Sequence, residues 1–196
     1  MNSKSLGQAG RPSGFIGRLF GKIMVRHNAL DNEWTIDRLN VRGNERILEV
    51  GFGPGAAVES LVKRYPAVRV DGIDHSEVML QTASARNYAA IAAGRVALHL
   101  GTVADLPFSD STFEKAFAVN CIYFWESPLQ GLAELYRVIK PGGRAGITVR
   151  DKHRDAYLAF RPERLREMFC KTGFSEIEIH TNGVASHPLF CAVGTR

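Results

Sequence analysis

The period of the apolar positions changes along the chain and divides it into elements. Phe15, Ile16, Leu19, Phe20, Ile23 and Met24 recur at helical spacing, with Arg18, Lys22 and Arg26 beside them at every fourth position. Gly14, Gly17 and Gly21 interrupt this stretch and weaken it as a rigid helix. Asn28 can cap a second helix through about Leu39, with Leu30, Trp34 and Leu39 on its inner face. Short apolar runs then alternate with helical patterns. Arg46–Val50, Val68–Asp74, Val96–Leu100, Phe113–Asn120 and Arg144–Val149 read as strands. One helix ends near Arg64, and a long one runs from about Ser76 to Ala92. Ser127-Pro128-Leu129-Gln130 is a capping box with proline at the first helical position, and Pro141-Gly142-Gly143 ends the helix it opens. Pro162 opens a last helix closed by Gly173, before strands Phe174–His180 and Leu189–Val193. This order predicts an α/β fold: an open, seven-stranded, mostly parallel sheet, helices on both faces, and one antiparallel strand near the C-terminus.

Composition changes this picture in two places. A chain of 196 residues, 45% hydrophobic, suits a single domain with a sizeable core. The net charge of +5 is held by residues 1–26, which carry five basic residues and no acid, so the remainder has 20 of each. Residues 1–40 therefore read as a basic arm with capping helices, and 41–196 as the main domain. A basic arm on a balanced fold weakens any inference of nucleic-acid binding. The arm has three readings: a helix packed on the domain, a cover for a site, or a peripheral membrane contact through 14–26. No apolar run reaches transmembrane length, and a cleavable signal peptide is not expected. Cys121, Cys170 and Cys191 are odd in number and widely spaced, which predicts neither a zinc site nor a disulfide framework. A cytoplasmic setting is expected.

The chemistry begins at Glu49-Val50-Gly51-Phe52-Gly53-Pro54-Gly55, a strand end followed by a glycine-rich turn and the start of a helix. Such a turn lets a ligand approach backbone N–H groups at a helix's positive end. Gly51, Gly53 and Ala56 satisfy a dinucleotide fingerprint, and Asp74 stands where a ribose-binding acid belongs. By itself the loop therefore fits an NAD(P)-binding oxidoreductase as well as other nucleotide-like ligands. Glu49 shifts the balance, because a carboxylate there repels a pyrophosphate and suits a cationic group such as a sulfonium or ammonium.

Several motifs in order resemble the class I S-adenosylmethionine-dependent methyltransferases. Glu49–Gly55 looks like the first. Val70-Asp71-Gly72-Ile73-Asp74-His75-Ser76 with Met79 looks like the second. Gly101–Phe108 is similar to the adenine-side loop, Leu135–Gly143 to the run into strand five, and Gly173-Phe174 to the start of the closing strands. The resemblance covers roughly residues 45–194 and is nearest to a small-molecule, quinone-methyltransferase-like branch. It implies a Rossmann-like fold, with 41–196 as the S-adenosylmethionine-binding domain. It also implies a cofactor site made by Glu49, Gly51, Phe52, Gly53, Gly55, Asp74, His75, Met79, Ala104, Asp105, Asn120 and Cys121. Asp74 would hold the ribose, His75 and Met79 line the adenine, Asp105 meet its amino group, and Asn120 and Cys121 lie beside the sulfonium.

The acceptor is less legible. Methyl transfer from a sulfonium is an in-line displacement that depends on alignment and exclusion of water, so no catalytic triad is required, and none is found. Tyr123, Phe124 and Trp125 follow strand four and could stack on a flat acceptor or serve the core. Tyr123, His27 and His153 are the side chains that could act in catalysis. Asn120-Cys121-Ile122-Tyr123 lacks the prolines usual in methyltransferases acting on base amino groups. The expected function is methylation of a small hydrophobic or aromatic acceptor. Alternatives are a lipid or quinone acceptor at a membrane surface, RNA or protein methylation, and NAD(P)-dependent oxidation.

Overall fold

The computed structural model describes residues 29–151, 155–182 and 188–196. The basic stretch 14–26, His27, Asn28 and His153 lie outside them. A helix over 29–39, α1, comes first. Then follow β1 (Arg46–Val50), α2 (Ala56–Arg64), β2 (Arg69–Asp74), α3 (Glu77–Arg86), α4 (Tyr88–Ala92), β3 (Val96–Leu100) and β4 (Phe113–Val119). A 3-10 turn, Ile122–Phe124, precedes α5 (Pro128–Val138), β5 (Ile139–Arg150), α6 (Asp155–Leu158), α7 (Pro162–Lys171), β6 (Ser175–Asn182) and β7 (Leu189–Thr195).

The sheet order is β3-β2-β1-β4-β5-β7-β6. The pairs β3–β2, β2–β1, β1–β4 and β4–β5 are parallel, and β7 runs antiparallel to both β5 and β6. The expected sheet, with its single antiparallel strand, is therefore present. Successive strands leave β1 first toward β3 and then, from β4, the other way. The strand order thus reverses between β1 and β4, and the carboxyl ends of these strands are where open sheets of this kind place a ligand.

Both faces of the sheet are buried, so the central strands are apolar on both sides. On one face Leu48, Val50, Ala116, Ala118, Ile147 and Val149 pack with Leu132 and Leu135 of α5 and Leu165 and Phe169 of α7. On the other, Ile47, Val70, Phe117 and Val119 pack with Ile36 and Leu39 of α1, Val58 and Leu61 of α2, and Met79 and Ala83 of α3.

Three sequence expectations change. The long helix is two helices, because Asn87 leaves helical geometry and its Nδ2 donates to Ala83 O (3.0 Å) and Gly55 O (3.1 Å). Strand β5 begins at Ile139 rather than Arg144, and runs through Pro141-Gly142-Gly143 with a shift of register against β4. The inner face of α1 is Asp31, Thr35, Ile36 and Leu39, whereas Leu30 is 80% exposed and Trp34 half-buried. Two polar residues take inner positions because they find partners on β5, described below. Ser127 caps α5 as expected, and Ser76 caps α3 in the same way, each hydroxyl accepting from the backbone N–H three residues on.

Candidate functional site

The glycine loop leaves β1 at the point where the strand order reverses. Gly51, Gly53 and Gly55 have φ of 72°, 51° and 74°, the left-handed region that suits glycine. The Gly51 N–H donates to Ile73 O (2.7 Å), and the Gly53 N–H donates to Asp74 Oδ2 (2.8 Å), so the loop is tied to the end of β2. From α3, Arg86 Nε donates to Pro54 O (2.9 Å) and Asn87 Nδ2 to Gly55 O. Phe52 is buried, and its ring is seated over Gly72, where a Cβ would come within 2.8 Å of Phe52 Cδ1. Gly53 faces open space, with nothing within 4 Å of a Cβ built there.

Two carboxyls flank the loop and are buried, Glu49 at 4% and Asp74 at 7% exposure. The Asp74 oxygens accept from the N–H groups of Gly53 and of Ser76 (2.9 Å). Burial raises its pKa, and those N–H donors oppose the rise. Glu49 is pushed well above its usual 4.5, by burial first and then by the charge of Asp74, with the Val58 N–H opposing. Its Oε2 has no hydrogen-bond partner. More backbone N–H groups oppose the rise at Asp74 than at Glu49, so the push toward the neutral form is stronger on Glu49.

On the β4 side, the Cys121 thiol donates to Val50 O (3.2 Å) and lies against the loop, where a Cβ on Gly51 would come within 2.8 Å of its Sγ. Burial first, with the charge of Asp74, pushes this thiol above its usual range, so it is no thiolate nucleophile. Asn120 has φ 53° and is clamped: its Nδ2 donates to Asp31 Oδ2 (2.7 Å) and its Oδ1 accepts from the Arg150 N–H (2.9 Å). The Arg150 guanidinium pairs with Asp31, and the Thr35 and Thr148 hydroxyls share a hydrogen bond of 2.6 Å. This group joins α1 to the ends of β4 and β5. The sequence showed nothing of it, because hydrophobic periodicity passes over Asp31 and Thr35, and Asp31 and Arg150 stand 119 positions apart.

The structure brings Glu49, Gly51, Phe52, Gly53, Gly55, Asp74 and Cys121 into one contiguous group. Met79 is buried beneath it, and His75 is exposed with Nδ1 3.8 Å from Asp74 Oδ1. Asp105 is exposed, and Ala104 is tied to α5, its carbonyl accepting from Gln130 Nε2 (3.0 Å). Tyr123, Phe124 and Trp125 are half-buried on the 3-10 turn directly after Cys121. Tyr123 packs edge-on against Phe124, Tyr157 and Phe160, with centroids 4.7, 4.9 and 6.4 Å away. Burial, then Tyr157 and Cys121, pushes the Tyr123 phenol above its usual range, so it keeps its proton. A groove between α7 and β6 lies at the far edge of the sheet and holds none of these residues. Among the described residues no cluster of acidic, histidine or cysteine side chains is suited to a metal, and no helix is long and apolar enough to cross a membrane.

Comparison with known proteins agrees with this geometry. A methyltransferase-domain family model matches residues 47–143. The uncharacterized methyltransferase YdaC of Bacillus subtilis is 33% identical over 183 residues, covering 90% of this chain and 97% of that protein. The ubiquinone/menaquinone biosynthesis C-methyltransferase UbiE of Geotalea daltonii is 33% identical over 147 residues, 67% of this chain and 61% of its own. A crystal structure of an S-adenosylmethionine-dependent methyltransferase from Aquifex aeolicus superposes with a TM-score of 0.74 at 21% identity, covering 89% of this chain and 96% of that one. With the fold, the ordered motifs and a relative matched over nearly its whole length, the chain belongs to the class I S-adenosylmethionine-dependent methyltransferases.

Proposed function

We propose that this enzyme methylates a small hydrophobic or aromatic acceptor by in-line displacement. The observation that carries the reading is the aromatic turn Tyr123–Trp125, which directly follows Cys121 where Cys121 meets the glycine loop. We assign the cofactor to Glu49, Gly51, Phe52, Gly53, Gly55, Asp74, His75, Met79, Ala104, Asp105, Asn120 and Cys121, within a domain spanning 41–196. The unpartnered Glu49 oxygen and the open space before Gly53 support this fit. The Asp74 carboxylate, held at the loop by the Gly53 and Ser76 N–H groups, suits a ribose hydroxyl as acceptor. S-adenosylmethionine supplies a methyl group already activated by the positive charge on its sulfur. The chain's own work is to hold an acceptor against that methyl and to keep water out. Tyr123, Phe124 and Trp125 offer flat faces for an aromatic acceptor. A protonated Tyr123 serves as a hydrogen-bond donor and not as a base. The three free cysteines accord with a cytoplasmic setting.

Incubation with S-adenosylmethionine and a panel of phenols, quinols and aliphatic acceptors tests this, read as S-adenosylhomocysteine formed. Turnover of the flat acceptors, with KM raised by Trp125→Ala, is expected. Turnover confined to RNA or protein would refute it. The likeness to UbiE favours a second reading, a quinone or lipid acceptor met at a membrane surface. Co-sedimentation with anionic liposomes, compared with a chain lacking residues 1–26, separates the two.

A further inference from the structure

Glu49 is a buried acid without a counter-ion. It is 4% exposed, its Oε2 has no hydrogen-bond partner, and among the described residues no lysine, arginine or histidine pairs with it. The groups around it come from three elements. The Val58 N–H of α2 donates to it, Asp74 bears on it from the end of β2, and the Cys121 thiol from beyond β4. The Asp74 carboxyl accepts from the Gly53 and Ser76 N–H groups, and His75 stands beside Asp74, its Nδ1 3.8 Å from Asp74 Oδ1. A second negative charge in this place is opposed by burial and by Asp74, and one backbone donor does not offset both.

We propose that Glu49 is protonated in the free enzyme and ionises only when the cationic part of S-adenosylmethionine enters, so that cofactor binding releases a proton from this chain. The Glu49 O–H bond breaks, its electron pair stays on the carboxylate, and the proton passes to solvent. The carboxylate then faces a positive charge in place of nothing. This inference rests on the assignment of the glycine loop as the cofactor site. It makes affinity fall on acidification, since the neutral acid must give up its proton at a lower pH.

Calorimetric titration with S-adenosylmethionine between pH 5 and 7, in buffers of unlike ionisation enthalpy, counts the protons. In this range the amino group of the ligand stays charged. The expected release rises toward one proton per site as pH is lowered, and affinity then falls about tenfold per pH unit. Glu49→Gln removes the release and flattens the pH dependence; its thermal melt confirms that it is folded. S-adenosylhomocysteine identifies the cation: release with both ligands assigns the ammonium, and release with S-adenosylmethionine alone the sulfonium. Binding by the wild type without proton release, or equal release by Glu49→Gln, overturns the coupling and spares the site assignment. Absence of binding by either ligand at any pH overturns both.

Discussion

Asp31→Ala probes whether α1 is part of the working fold. The Asp31 side chain is 1% exposed and accepts from Arg150 Nε (3.1 Å), Arg150 Nη2 and Asn120 Nδ2 (2.7 Å). Truncation removes the counter-ion of Arg150 and the acceptor of the Asn120 amide together. Breaking a buried ion pair from one side costs about 3–5 kcal/mol. The Arg150 side chain is 29% exposed, so water compensates part of the loss, and about 2–4 kcal/mol is expected. For a chain of this length that lowers the melting temperature by roughly 5–15 °C. Urea unfolding followed by the fluorescence of Trp34 and Trp125 gives the free energy. Asp31→Leu combined with Arg150→Met recovers part of the loss, because a matched apolar pair leaves no buried charge behind. A loss below about 1 kcal/mol, or a double variant no better than the single, would refute the view that this pair locks α1 onto β4 and β5.

The glycines of the loop separate two causes. Gly51→Ala meets a φ of 72° and Cys121 Sγ at 2.8 Å, so strain of about 1–2 kcal/mol adds to a clash, and melting shows a clear loss. Gly53→Ala meets only a φ of 51° with open space ahead, so its stability loss is smaller while cofactor affinity drops; calorimetry and melting together check both. The pH dependence of stability follows from Glu49. Its folded pKa lies above its unfolded value, so the folded state binds more protons, and Glu49 lowers stability as pH rises from about 4.5 through the folded pKa. The stability of Glu49→Gln relative to wild type should therefore increase with pH across that window. Equal melting curves at every pH would count against a neutral Glu49.

The central strands were legible in the sequence because they are buried on both faces, and the edge strand β3 because it alternates. Arg46–Val50 and Val96–Leu100 are continuous apolar or alternating runs with sharp ends, and they occur as read. The glycine loop was legible for a different reason: its backbone needs φ values that only glycine adopts freely, so the chemistry is written in residue type. Asn87 was not legible as a helix break, because what draws it out of the helix is a carbonyl 32 positions away. Nor was β5 through Pro141-Gly142-Gly143, where the ladder tolerates residues that usually end one by slipping register. The inner face of α1 was misread because hydrophobic periodicity overlooks an aspartate and a threonine whose partners, Arg150 and Thr148, lie on a distant strand. Within the site, Glu49 and Asp74 could be paired from the sequence. Their inequality depends on where backbone N–H groups point, which only the fold shows.

On the assignment proposed above, the loop between Glu49 and Asp74 holds the methyl donor. Titration of the ligand-free enzyme with S-adenosylhomocysteine, beside Asp74→Ala, tests it most directly. Saturable one-site binding by the wild type is expected, with at least tenfold weaker binding by the folded variant. No saturable binding by the wild type, or equal affinity in Asp74→Ala, would contradict it.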